Sequence, residues 1–516
     1  MATLNTTIND IAVPTAKLQD VHISESELPI SPPSTKDLHT KLTTLLLPQL
    51  SEKASINLPS DDEFKQNTAR WSDTTFTSPT AVVNVASESD ICAVVRVPSL
   101  RPMQSQTNHP LSSQVKFATS HNIPFLAQSG SHGLSSSLQK LSGKPHIIIN
   151  LRLMNEVKVD LPSGTATISA GAITKEVLDA AHAASAHIVT GVCNTVGIIP
   201  ALLGGGMGNQ ISLYGLGVDQ ILSARLVTAK GEVVVVSEEA NQDLFWGIRG
   251  AGHNFGIVSE LKVKAYEQEN GGVHWTGTLG FPGSKEMLTR VTSTIKEMGI
   301  GKGMGVFMIW ARPPPAFGPM VVLNLWYSGP SAAAEAAYKP FFDLEPVMQI
   351  CAPTPYTHIN DCNDAVCAKG LRKPSYCVGL DESELGDLEK VWEQWVEWSA
   401  REGAGQSVVL TECYGFEKAR EVEDESTAYA WRGTGVYVLT IPMYEKEEMD
   451  AEAHAYGTKF RDTLQGDGPK RVYTNFANGD EEPSALYGGG ERLEKLRTLK
   501  GKWDPHGVFG WFNPIC

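Results

Sequence analysis

Residues Gly191–Asn209 read GVCNTVGIIPALLGGGMGN. A cysteine stands at the head of a turn, an apolar run follows, and glycines Gly204, Gly205, Gly206 and Gly208 cluster behind it. Taken alone, Cys193 reads as a small buried hydrophobe, the commonest role of a free cysteine. A redox thiol, a metal ligand, a nucleophile and an attachment point all stay open. The cluster is G-x-G-x-G and lacks the third glycine of the dinucleotide fingerprint; GAGHNFG (Gly250–Gly256) is one residue too long for it. Neither follows a clear strand and opens a clear helix, so a nicotinamide-type Rossmann site is disfavoured. Such glycines let a diphosphate approach backbone N–H groups, or they simply make tight turns.

Around this stretch lies a chain of 516 residues, too long for one simple core. Hydrophobic content of 41% and charged content of 20% are those of an ordinary globular protein. A net charge of −15 disfavours nucleic acid and anionic membrane, which need clustered Lys and Arg. No apolar run approaches a membrane span, and the N-terminus carries no basic and apolar signal pattern. An intracellular enzyme acting on a small molecule is the expectation. The eight cysteines are scattered, which is no disulfide framework, so most are expected reduced. HINDCNDAVC (His358–Cys367) offers Cys-x4-Cys with a nearby His and Asp, but no second pair completes four ligands. No metal is expected.

Residues 1–70 are Ser/Thr/Pro-rich and weakly periodic, expected as a loose arm. From 71 to 267 short strands and helices alternate. PTAVVNVAS (Pro79–Ser87) and HIIINL (His146–Leu151) read as strands, and SESDICAVVRVPSL (Ser87–Leu100) starts like a capped helix. Ile257, Ser259, Leu261 and Val263 share one face of a half-buried strand. From 268 to 469 come more Trp and longer helices. Leu388, Val391, Trp392, Trp395 and Val396 form a helical stripe, which is core rather than a cofactor contact. VVLNLWYSG, SVVLTECYGF and GVYVLTIPMY read as strands of a second sheet. Residues 470–516 follow neither rhythm and end in a helix, Glu491–Lys500, and an aromatic tail.

One further loop matters. QSGSHG (Gln128–Gly133) follows a strand, and its His132 sits among small residues that leave it accessible. It lacks the first glycine of a hydrolase nucleophile elbow. This loop, the cysteine turn, the glycine cluster and NQDLFWGIRGAGHNFGIV together resemble the berberine bridge enzyme-like FAD-linked oxidases, with their vanillyl-alcohol-oxidase/PCMH-type FAD domain. The tail YTNF…YGGGERLEKLRTLKGKWDPHGVF resembles the family's C-terminal pattern. Gln128, Ser131 and Asn194 depart from the Arg, Gly and Pro usual at those places.

The resemblance implies an α+β fold. It has a two-part FAD domain (71–267 with 470–516) and a substrate domain (268–469) whose antiparallel sheet is backed by helices. It implies FAD attached through His132 at the 8α-methyl and through Cys193 at C6. Flavin-binding residues carried over are Gln128, Ser129, Gly130, Ser131, Gly133, Gly197, Gly204, Gly205, Gly206, Gly208, Gly256, Ile257, Val258 and Asn475. Val196 would leave room for O2. An oxidase of specialised metabolism is implied, transferring hydride from a small-molecule substrate to the flavin, with O2 giving H2O2 and ring formation as a further outcome. Relatives carry a Glu or Gln base at a strand position that aligns with Thr440, and Thr is no base at neutral pH. Tyr473 is therefore the first candidate base, with Glu412, Tyr414 and Tyr437 behind it. Thr440 also motivates an alternative: a protein that keeps its flavin for a non-redox cyclisation or isomerisation.

Overall fold

The computed structural model describes residues 34–95, 118 and 123–516. Residues 1–33 of the expected arm and the end of the helix expected over 87–100 lie outside the described residues; within them that helix runs Glu88–Val95.

Three sheets organise the chain besides a two-stranded pair. The first has four strands, in the order Ser55–Asn57, Ala81–Asn84, Ile147–Asn150 and Phe125–Gln128. Ala81–Asn84, Ile147–Asn150 and Phe125–Gln128 pair in parallel. Ile147–Asn150 is buried along its whole length, which explains its unbroken apolar run. The second sheet has five antiparallel strands, with Ile257–Lys264 at its centre. That strand alternates as its sequence predicts over Ser259–Lys264, and its pairing with Ile221–Val227 shifts register between Val258 and Glu260 and between Lys262 and Val263.

The third sheet has seven antiparallel strands, with Met304–Ala311, Val408–Tyr414 and Val436–Ile441 among its inner members. Side chains alternate across it with period two. Val306, Met308, Trp310, Val409, Val436 and Val438 face a core built with the helices Lys285–Met298, Trp392–Ser399 and Asp450–Gln465. Trp392 and Trp395 of the aromatic stripe pack there, on Trp310. The opposite face presents Phe307, Leu410, Tyr437, Leu439 and Ile441 to the core shared with the glycine cluster.

The halves are pinned together. Arg432 donates two hydrogen bonds, of 2.8 and 2.6 Å, to the Asp219 carboxylate, and both side chains are buried. A buried pair of this kind is far costlier to break at one end than to replace whole. The C-terminal tail returns to the segment of the five-stranded sheet: the Asn254 side-chain oxygen accepts from the Ile515 N–H, and the Asn254 backbone carbonyl accepts from Lys500.

Between the sheets lie two fully buried histidines, His187 and His274, with Nε2 atoms 3.2 Å apart. Burial lowers His187 to about 4, with His182 adding to the effect, and lowers His274 to about 3, with His187 adding to it. Folding therefore excludes protons that the unfolded chain binds below about pH 6.5. Stability falls as pH drops from about 6.5 toward 4. We expect urea midpoints to fall over that range, and to fall less in a His187→Asn, His274→Asn variant. Equal slopes would show that the pair plays no part.

Candidate active site

Two cavities join end to end, with volumes of about 120 and 300 Å³. They share Leu126, Ser129, Pro200, His253 and Phe512, so together they form one elongated slot. Gly256, Ile257 and Val258 line the smaller part. Gly130, Ser131, His132, Gly133, Val196 and Gly197 line the larger one.

Backbone contact builds the slot's wall. A Cβ on Gly130 would lie 2.4 Å from the Gly197 nitrogen, and a Cβ on Gly197 would lie 1.9 Å from the Ser129 hydroxyl. The two loops can therefore touch only because both residues are glycine. Ser131 holds φ +66°, a conformation glycine takes at no cost. Its carbonyl accepts from the Trp71 N–H, which helps hold the loop there.

His132 is turned by a hydrogen bond of 2.8 Å between its Nε2 and the Thr195 hydroxyl. Burial lowers its pKa to about 3, and the charges of Lys369, Lys373 and Arg70 push the same way. The ring is neutral at every physiological pH. Arg70 lines the larger cavity, and Lys373 lies 4.4 Å over the Trp71 ring.

Several sequence expectations are corrected. Cys193 faces Cys367 in the wall of the larger cavity, with Cα atoms 6.2 Å apart, a neighbour that its sequence context does not suggest. Asn194 now has a reason. Its amide donates to Asp361 at 2.9 Å and Asp364 at 3.1 Å, binding the cysteine turn to the loop that carries Cys367. Gly204, Gly205, Gly206 and Gly208 line neither cavity. Their missing side chains make room for Asn475, Tyr473, Tyr429, Gly217 and the Thr190 carbonyl. Gln128 also points away, donating to the Asn67 carbonyl at 2.7 Å.

Thr440 lies on the far face of the seven-stranded sheet, where its hydroxyl meets that of Tyr456 at 2.9 Å. The residues that this strand turns to the cavity are Leu439 and Ile441. The ground for the non-redox alternative disappears with it. Tyr437 is not at the cavity either; its hydroxyl meets that of Tyr429 at 3.0 Å. Tyr473 does line the cavity. Its oxygen already accepts N–H groups from Gly206 (3.0 Å), Met207 (3.4 Å) and Asn475 (2.7 Å). Burial also raises its pKa above the ordinary phenol value. A phenol with its lone pairs occupied is a donor, not a base.

Glu412 is different. It lines the cavity, 4% exposed, between Phe307 and Tyr437 on the neighbouring strands. Burial pushes its carboxyl up to about 7, partly opposed by the Tyr414 hydroxyl. A carboxyl perturbed this far in a cavity is a candidate for proton transfer. Asn363, Val366 and Cys367 also line the cavity and were not anticipated. They lie in the segment weighed above only as a metal site, and nothing local marks it as a cavity wall.

The slot fits FAD on its own evidence. The Ser129 hydroxyl is buried without a partner where the two cavities meet, as a group awaiting a polar ligand would be. The two-part length suits a dinucleotide, and the glycine contacts leave the loops no bulk at that junction. Fold and slot thus define a flavin-dependent oxidoreductase of the PCMH type.

Comparison with known proteins agrees. Residues 103–237 match the FAD binding domain family, and residues 472–515 match the berberine and berberine-like family. FAD-linked oxidoreductase OXR1 of Pyricularia oryzae is 33% identical over 79% of this chain and 82% of its own length. FAD-linked oxidoreductase srdI of Neurospora crassa is 29% identical over 91% of both chains. The chain belongs to the berberine bridge enzyme-like family of FAD-linked oxidoreductases. Among solved structures, BBE-like 1 of Physcomitrella patens superposes with a TM-score of 0.75 at 18% identity, covering 92% of this chain and 98% of that one. Xylooligosaccharide oxidase of Myceliophthora thermophila superposes at 0.74 and 20% identity, covering 90% and 97%. These likenesses show the fold. Among the described residues no helix is long and apolar enough to cross a membrane.

Proposed function

We propose that the protein is an FAD-dependent oxidase of specialised metabolism, acting on a largely apolar small molecule. The observation that carries this is Glu412, the one carboxyl in a cavity lining that is mostly apolar, with Phe307, Leu410, Leu439, Ile441 and Phe476 around it, and with a pKa of about 7. A sugar would bury many hydroxyls against those side chains without partners, which is costly. A substrate with one acidic O–H or N–H fits better. The relatives' shared name, FAD-linked oxidoreductase, supports the reading.

In this reading residues 71–267 and 470–516 hold the flavin, residues 268–469 build the substrate side, and residues 1–70 are an arm. Ser129, Gly130, Gly133, Gly197, Gly256, Ile257 and Val258 line the cofactor slot. His132 tethers it. Bound there, FAD would supply the electron sink for a hydride from a substrate C–H, with O2 as the final acceptor giving H2O2. Glu412 removes the substrate's acidic proton. Tyr473, fixed by its three N–H donors, orients the substrate with its own O–H. Val196 leaves open space beside the cysteine turn for O2. The apolar wall excludes water and keeps Glu412 protonatable near neutrality.

The test is anaerobic mixing of the purified flavoprotein with phenolic, alcohol and amine candidates. Loss of the flavin absorbance, restored by O2 with one H2O2 per turnover, is expected for a substrate. Product forming with no bleaching would overturn the oxidase reading.

A further inference from the structure

One edge of the seven-stranded sheet is bare among the described residues. Its last strand, Met348–Pro355, pairs only with Val273–Pro282. At the other edge Tyr376–Leu380 is buried along its length, and the Gly379 N–H donates to the Arg471 carbonyl. On Met348–Pro355 five consecutive residues, Gln349–Pro353, are exposed, so both faces and the outer side are open there. Val347 and Ile350, at 67% and 66%, are the most exposed large apolar side chains among the described residues. Val347–Pro355 carries no charge. Folded proteins normally guard against an uncharged, apolar, unpaired edge of this kind.

The strand's own pattern says what fits it. In an antiparallel pair alternate residues bond to the neighbour, and the rest point away. Pro353 and Pro355 have no N–H, so they belong with the residues that point away, and Gln349 and Cys351 share that phase. The open edge therefore offers N–H and C=O groups at Gln349 and Cys351, and beyond them only the carbonyls of the two prolines. At the other end the Val347 N–H is turned inward, donating to the carbonyl of Gly280, the residue that Met348 already faces. Two residues there oppose one, as in a bulge, and the regular edge ends. What remains is a short stretch centred on Ile350.

We propose that this edge pairs antiparallel with the same edge of a second copy of the chain, about a two-fold axis at Ile350. In that register Gln349 of each copy lies opposite Cys351 of the partner subunit. Each such pair exchanges two hydrogen bonds, so every N–H that the two edges offer finds a carbonyl and none is left over. Ile350 meets its own copy across the axis, in the closer kind of pair, where side chains touch best. Val347 falls opposite Pro353 of the partner subunit, so the bulged end of one strand meets the proline end of the other. No like charges face each other along the strands, although each chain has a net charge of −15. A longer foreign strand would gain no further donor past Cys351, because the prolines supply none. The flavin slot takes no part, so the inference stands apart from the proposed function.

The experiment is sedimentation velocity on the full-length protein, purified with FAD, over a wide range of concentration. The wild type is expected to pass from monomer to dimer. Ile350→Lys sets two like charges face to face on the axis and removes the apolar contact, at a side chain too exposed to support the fold. It should weaken dimerisation about tenfold or more while binding the same amount of flavin. Gln349→Cys tests the register. Paired Cα atoms there lie about 5.5 Å apart, within reach of a disulfide. With oxidised glutathione this variant should give a covalent dimer whose joined peptides, read by mass, link position 349 to Cys351 of the partner subunit. Adding Cys351→Ser should abolish that link. A wild type that stays monomeric at every concentration overturns the proposal. A dimer that Ile350→Lys leaves unchanged overturns it too, and places the interface elsewhere. Hydrogen exchange completes the test: protection of residues 347–353 should rise with protein concentration. Full protection in the monomer would give the edge to another segment of this chain and overturn the proposal.

Discussion

Replacing Glu412 by Gln lowers the rate of flavin reduction by about 10²- to 10⁴-fold, the usual contribution of a positioned general base. Glu412 is the cavity's ionisable carboxyl, and its burial places its pKa at about 7. The base must be ionised to take a proton. In the parent enzyme, anaerobic reduction therefore speeds up as pH rises through about 7 and levels off above it. In Glu412→Gln that limb disappears. Stability moves the opposite way. A carboxyl raised from about 4.3 in the unfolded chain to about 7 in the folded one costs stability as pH rises across that interval. Removing its charge raises the unfolding temperature at pH 8 relative to the parent. A residue that merely supported the fold would lose stability and rate together. Slow reduction with an unchanged pH limb would transfer the base to another residue.

Replacing His132 by Ala abolishes flavin retention after acid precipitation. The same protein still binds FAD reversibly, because Ser129 and the Gly130–Gly197 contact remain. Cys193→Ala gives this prediction its second half: on its own it leaves retention unchanged, because His132 is enough to hold the flavin, and Cys193 faces Cys367 in the same cavity wall. Flavin in the His132→Ala pellet would place a bond at Cys193 after all.

Much of this was readable without coordinates. His132 and Val196 lie in loops whose small residues are consecutive in the chain, and Gly130 and Gly197 are there because only glycine lets those loops meet. The aromatic stripe at Trp392 and Trp395 declared a buried helix face by its spacing. Local pattern was enough because a turn or a helix face is decided within a few residues. The substrate end was harder. Thr440 and its neighbours Leu439 and Ile441 look equally plausible in sequence, yet a strand's side chains alternate, and one residue decides which face each one meets. The sheet turns 439 and 441 to the cavity and 440 to Tyr456.

The sequence by itself determined the FAD-linked family, through the resemblance its contiguous motifs carry, and much of the strand and helix pattern, through periodicity. Only the tertiary structure decided what the other residues do. It buried Glu412 in a mostly apolar wall, occupied Tyr473 with three N–H donors, and brought Cys193 up to Cys367, 174 residues away. It also turned the glycine cluster from a diphosphate cradle into a bed for Tyr473 and Asn475. Proton affinity, hydrogen-bond direction and the meeting of two cysteines depend on what surrounds a side chain in space, and those surroundings are assembled from segments far apart in the chain.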